Sequence, residues 1–174
     1  LLEMQLVGVT DLQKAFSSFL GVVRRMDKLS AKSSIPVYEG FGSSREKARA
    51  AIDAIRLHFP ERRLQIIFEP HTFSWRNRST IHWYDDVFQG ASQIFISAPP
   101  DHGAASHEQL SYDEIADRVA ATGCQVTRLS SDNTQNIHRI TGALQPGDAV
   151  LVLTSGDLGG LIRQLVDEME RRFA

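Results

Sequence analysis

The stretch Phe68-Glu69-Pro70-His71-Thr72-Phe73-Ser74-Trp75-Arg76 brings a carboxylate, an imidazole, hydroxyls and a guanidinium into one short piece of chain. An imidazole acts as acid, base or hydrogen-bond partner near neutral pH, and a guanidinium forks onto a carboxylate. His71 and Arg76 are therefore candidate ligand contacts. The competing reading is that Pro70 and Ser74 merely shape a turn, with His71 a half-exposed polar residue. Both readings stand on the residues alone.

A second candidate is Thr154-Ser155-Gly156-Asp157-Leu158-Gly159-Gly160. Glycines let a ligand approach the backbone, and free N–H groups at a helix start favour anions. The stretch is not a GxGxxG pattern, and Asp157 would repel a phosphate. Asp157 either holds a substrate ammonium or caps the following helix, which is the commoner use of such a residue. The pair Arg24-Arg25 either touches phosphate or belongs to a solvated face. His102 and His107 match no common metal-ligand spacing, and the lone Cys124 allows no CxxC pair, so no metal site is expected. There is neither a nucleophile elbow nor a Walker A sequence, so no catalytic residue is assigned. An ATP-driven reaction is not expected of this chain alone.

These residues must be held by alternating strands and helices. Strands are predicted over 35–41, 64–68, 93–97, 125–129 and 149–153. The run 64–68 lacks polar alternation, as central strands covered on both faces do. A helix over 44–58 buries Ala48, Ala51, Ile52 and Ile55, with Ser43 and Glu46 expected as its capping box. A further helix runs through Ile81, Tyr84 and Phe88, another covers 111–122, and the last buries Leu158, Leu161, Ile162, Leu165, Met169 and Phe173. The alternation predicts an α/β fold, a doubly wound and mainly parallel sheet flanked by helices. Ligands of such sheets sit beyond the carboxyl ends of the strands. That puts the functional segments at 39–45, 69–78, 98–109 and 154–160.

With 174 residues and a formal net charge of -2, the chain suits one domain and advertises neither nucleic acid nor an anionic membrane as partner. No apolar run approaches the roughly 18 residues that span a bilayer, and no signal peptide is evident. The chain opens Leu1-Leu2-Glu3, without an initiator Met, and reads as a fragment of something longer.

The order of the motifs resembles the C-terminal part of the Mur ligases, nearest the alanine-adding and murein-tripeptide-adding types. Phe19-Leu20-Gly21-Val22-Val23-Arg24-Arg25-Met26-Asp27 is similar to F-x-G-V-x-R-R-x-[DE], which ends the central domain in that family. Val37-Tyr38-Glu39-Gly40-Phe41-Gly42-Ser43-Ser44-Arg45 stands where the family has V-Y-D-D-[FY]-[AG]-H-H-P, and Phe68-Glu69-Pro70-His71 resembles F-[EQ]-P-[HR]. Gly147 to Leu153 and Ser155 to Gly160 resemble the closing G-D-x-[IV]-L-V-[ML]-[ST]-x-G-[GD]-[FIL]-G-G.

The resemblance implies a Rossmann-like C-terminal domain over 31–174, with 1–30 the tail of the preceding central ATP-binding domain and a linker. It implies an ATP-dependent, amide-bond-forming ligase of peptidoglycan synthesis or recycling, cytoplasmic and inactive as this fragment. ATP and Mg²⁺ would be bound mainly by the central domain, and UDP-N-acetylmuramate by an N-terminal domain. This domain would present the amino acid or murein tripeptide. Arg24, Arg25 and Glu39 then face the nucleotide, and His71, Arg76, Ser155 and Asp157 face the substrate. Gly40 replaces the family's second Asp, and Ser43-Ser44-Arg45 replaces H-H-P. Those departures favour an alternative, a degenerate domain that binds peptide or nucleotide without catalysis.

Overall fold

The computed structural model describes residues 6–19, 24–100 and 108–174. After helix α1 (Val9–Ser18) comes the short strand β1 (Asp27–Lys28). The α/β alternation then runs β2 (Val37–Gly40), α2 (Arg45–His58), β3 (Arg63–Phe68), α3 (Phe73–Arg76), a 3₁₀ segment (Arg78–Asp85) and β4 (Gln93–Ile96). It continues through α4 (Tyr112–Ala120), β5 (Gln125–Arg128), α5 (Asn133–Ala143), β6 (Asp148–Leu153), a 3₁₀ turn (Leu158–Gly160) and α6 (Leu161–Arg172). The six strands form one sheet in the order β1-β2-β6-β3-β4-β5. Every pairing is parallel except β1 with β2.

The sheet is covered on both sides, which is why its central strands are unbroken apolar runs. Strand side chains alternate between faces. Leu64, Ile66 and Phe68 join Leu151, Leu153, Ile94 and Ile96 against α2, the 3₁₀ segment and α4. Ile67, Val150, Val152, Phe95 and Val37 join Leu161, Leu165 and Met169 of α6 and Ile140 of α5 on the other face. The doubly wound expectation is therefore what the chain adopts.

Three local expectations differ. The strand expected over 35–41 is shorter, and an antiparallel strand over Asp27–Lys28 was not foreseen, two residues being too few for a pattern. The helix through Ile81 and Tyr84 is a 3₁₀ segment that ends before Phe88. Ser44, not Ser43, is the N-cap of α2, its side chain accepting from the Lys47 backbone N–H. Ser43 Oγ instead accepts from Lys47 Nζ at 2.9 Å. At α4 the expected capping box Ser111…Glu114 is present.

That box also anchors the 3₁₀ segment. Arg78 donates to both carboxylate oxygens of Glu114, at 2.7 and 3.0 Å. With the Ser111 N–H added, these bonds hold the Glu114 carboxyl down to about 2. A carboxyl depressed on folding adds stability above its unfolded value and loses it as pH falls through the folded one. The stability gap between the protein and Glu114→Gln is thus expected to be constant above about pH 4.5 and to close as pH falls toward 2. Urea melts across that range measure it, and a gap that does not narrow would contradict the assignment.

Candidate functional site

The carboxyl ends of β2, β6 and β3 lie side by side, because β6 is inserted between β2 and β3. Three loops therefore leave the sheet together, starting at Phe41, Thr154 and Glu69. Close approach there depends on small residues. A Cβ on Gly42 would lie 2.9 Å from Leu153 Cβ, and one on Gly40 would lie 3.1 Å from Leu153 Cδ2 and 3.2 Å from Ala51 Cβ.

Glu69 sits at the centre of the meeting point and is only 8% exposed. Its Oε2 accepts the Thr154 hydroxyl proton and lies 3.3 Å from His71 Nδ1. Thr154 Oγ1 accepts in turn from the Gly156 backbone N–H at 2.8 Å. The Glu69 N–H donates to the Leu153 carbonyl at 3.1 Å, so backbone and side chain bind the two loops together. A carboxylate removed from water in this way needs such bonds, or its desolvation costs several kcal/mol.

Arg24 reaches the same place from the segment before β1. Its Nε donates to Glu39 Oε1 at 2.8 Å, and its terminal nitrogens donate to the Ser155 and Gly156 carbonyls. The backbone bends sharply there, with Arg24 and Met26 both left-handed (φ 59° and 65°). Arg25 and Lys47 stand over the Phe41 ring, with cation-to-centroid distances of 4.7 and 5.5 Å, and Arg24 is 5.8 Å from it. These separations lie within the range of favourable cation–π contact.

The candidate residues fall into two neighbouring groups and one outlier. Arg24, Arg25 and Glu39 gather round Phe41, while His71, Ser155 and Asp157 stand on the adjoining loops. Arg24 touches both groups. Arg76 stands apart: it is 5% exposed, and its Nη1 donates to the Pro100 carbonyl at 3.0 Å, joining α3 to the chain after β4. Asp157 caps the 3₁₀ turn, Oδ1 accepting from the Gly159 N–H at 3.0 Å. Leu158, Gly159 and Gly160 are all left-handed, which turns the chain into α6. A cavity of about 480 Å³ opens beside this turn, lined by Arg24, Glu39, Gly156, Asp157 and the first turns of α6. That volume is in the range of small-molecule sites.

Trp75 is completely buried and donates through Nε1 to the Gly42 carbonyl at 2.6 Å. Tyr84 donates to the Trp75 carbonyl at 2.6 Å, and burial pushes its phenol well above the ordinary range, so it stays a donor. Together with the bond from Thr72 Oγ1 to the Ser43 carbonyl, this fastens the β3 loop to the β2 loop. Among the described residues no group of three or more His, Cys, Asp or Glu could hold a metal ion, and no helix is long and apolar enough to cross a membrane. His102 and His107 lie outside the described residues, as do Leu20 to Val23 of the basic-pair motif.

No family model matches the chain. UDP-N-acetylmuramate–L-alanine ligase of Geobacter sulfurreducens is 28% identical over 152 residues, 87% of this chain and 33% of that protein. UDP-N-acetylmuramate-alanine ligase MurC from Thermotoga maritima superposes with a TM-score of 0.74 at 16% identity, covering 97% of this chain and 35% of that one. A murein peptide ligase from Psychrobacter arcticus superposes with a TM-score of 0.71 at 18% identity, covering 92% and 33%. The chain matches a Mur ligase C-terminal domain. It spans about a third of the length of the relatives it matches.

Within this domain, sequence reasoning singled out His71, Ser155 and Asp157 but missed the members that join them. Glu69 stood in the quoted motif without a role, and Thr154 only opened a loop. The signal was their position, each immediately following a strand whose partner is the other. Nothing in the sequence announced that Arg24 folds back onto residues 155 and 156.

Gly156 is the tightest point. A Cβ there would lie 2.7 Å from both Glu69 Oε2 and His71 Nδ1. Gly156→Ala is expected to fold but to lose about 1–3 kcal/mol, the usual scale of overpacking. Its His71 ring resonances should move in NMR spectra. Unmoved resonances at full stability would contradict the packing described.

Proposed function

We propose that this chain is the substrate-presenting domain of an ATP-dependent ligase that joins an L-amino acid or a murein tripeptide to UDP-N-acetylmuramate. The observation that carries this reading is Arg24, whose guanidinium is shared between Glu39 and the Ser155 and Gly156 carbonyls. One cation thus couples the cationic group round Phe41 to the loop after β6 that carries Ser155 and Asp157.

In this reading Arg25 and Arg24 face the polyphosphate of ATP, and Glu39 holds Arg24 in place beside the nucleotide. His71, Ser155 and Asp157 receive the incoming amine and its carboxylates across the cavity beside α6. Arg76 contributes by bracing the loop against Pro100. ATP and Mg²⁺ activate the muramoyl carboxylate as an acyl phosphate elsewhere in the whole protein. The domain orients the amine for attack on it, a positioning effect worth several kcal/mol of barrier. Residues 31–174 form this domain, and 1–30 are the tail of the preceding ATP-binding domain and the linker from it, whose Asp27–Lys28 strand adds to the edge of this sheet. The protein acts in the cytoplasm, and the domain has no turnover of its own.

One observation favours a second reading, a ligase-like domain that binds without catalysis. Position 40 is packed for glycine, and Ser44 is committed to capping α2. Gly40 and Ser44, which stand where the family has a carboxylate and one imidazole, therefore serve the fold.

Phosphate release from the full-length protein, with ATP, Mg²⁺ and UDP-N-acetylmuramate, separates the readings. Release is expected to depend on L-alanine or on L-alanyl-γ-D-glutamyl-meso-diaminopimelate, and His71→Ala should raise the amine concentration required. Absence of release with either amine, from folded protein, would favour the binding domain.

A further inference from the structure

We infer that Glu69 is a positioning residue that fixes the tautomer of His71, so that the ring meets the ammonium group of the incoming substrate and not its carboxylate. Which groups can donate decides the tautomer. Glu69 Oε2 is a pure acceptor when ionised. It takes the Thr154 hydroxyl proton, and Thr154 Oγ1 takes the Gly156 N–H, so that relay runs in one direction and ends on the carboxylate. Nδ1 of His71 lies 3.3 Å from the same oxygen, in a contact that is not a hydrogen bond as oriented here. A lone pair at Nδ1 would face the carboxylate, so the charge favours a proton there.

The backbone holds the pair in this relation. His71 N–H donates to the Glu69 carbonyl at 2.7 Å, closing a three-residue turn with Pro70 at its centre. Proline's fixed φ suits an inverse γ-turn. The missing side chain of Gly156 leaves the imidazole edge room against the carboxylate. The carboxylate side chain is 10% exposed and that of His71 27%, so the anchor is shut in and the ring is reachable.

A neutral imidazole carries one proton, and pinning it at Nδ1 puts the lone pair at Nε2. An acceptor Nε2 suits an ammonium or amine nitrogen and repels a carboxylate. Should the ring take a proton from that ammonium at Nε2, the amine becomes nucleophilic, and the imidazolium keeps its Nδ1–H facing the Glu69 carboxylate. The identity of the amine rests on the ligase reading above, whereas the tautomer does not.

Long-range ¹H–¹⁵N correlation of the labelled protein at alkaline pH reads the tautomer directly. Histidine in water prefers Nε2–H, so an Nδ1–H tautomer at His71 is diagnostic of the clamp. Glu69→Gln should keep Nδ1–H, because its amide oxygen accepts the same proton, and Glu69→Ala should revert to Nε2–H. Thr154→Val leaves the carboxylate in place and should also keep Nδ1–H, which guards against Glu69→Ala failing to fold. Finding Nε2–H in the unsubstituted protein overturns the inference, whatever the ligase assay gives. In the full-length protein, Glu69→Ala should raise KM for the amine by about 10-fold or more, the scale seen when the outer partner of a functional imidazole is lost. A KM restored by Glu69→Gln supports the role, and a KM unchanged in Glu69→Ala overturns the ammonium assignment. A full-length protein without any turnover refutes the ligase reading and leaves the tautomer result standing.

Discussion

A carboxylate at the end of one strand is satisfied by the hydroxyl at the end of its neighbour, and much of the site is arranged around that bond. Glu69 follows β3 and Thr154 follows β6, strands that pair in parallel up to Phe68 and Leu153. Registering the two strands therefore brings the two side chains close together. The acid is nearly buried, so losing its donors would strand a charge away from water, an error of several kcal/mol. Such a constraint makes the loop geometry a consequence of the sheet.

The surrounding contacts serve the same convergence. Glycines at 40, 42 and 156 remove the side chains that would push the three loops apart. Trp75 fills the space beneath the β3 loop and closes it onto the Gly42 carbonyl. Arg24 then crosses from the β1 side and takes up carbonyls left facing outward by the turn into α6. A guanidinium held at Nε by Glu39 and at its terminal nitrogens by two carbonyls is oriented before any ligand arrives, which lowers the cost of binding. Arg25, over the Phe41 ring, is exposed and less constrained than Arg24.

Much of this architecture is legible in the sequence because its signals are periodic. The runs at 64–68 and 149–153 have the composition of doubly covered strands, and the spacing of Ala48, Ile52 and Ile55 fixes the buried face of α2. Loops at strand ends follow from the α/β alternation, so His71, Ser155 and Asp157 could be placed near one another. What could not be read depended on tertiary direction. Arg76 looks like a ligand contact in the string, yet the one-turn helix Phe73–Arg76 points it inward toward Pro100. Ser43 and Ser44 are equivalent as letters, and only the backbone at the start of α2 decides which one caps. The left-handed bend at Arg24 has no glycine to mark it.

Glu69 and Thr154 act as one unit holding the β3 and β6 loops in register. A double-mutant cycle with Glu69→Ala and Thr154→Val, read by chemical denaturation, measures that coupling directly. An interaction free energy of about 1 kcal/mol or more is expected, as found for partners in one hydrogen-bond network. Strictly additive losses would contradict it and leave the two loops independently placed.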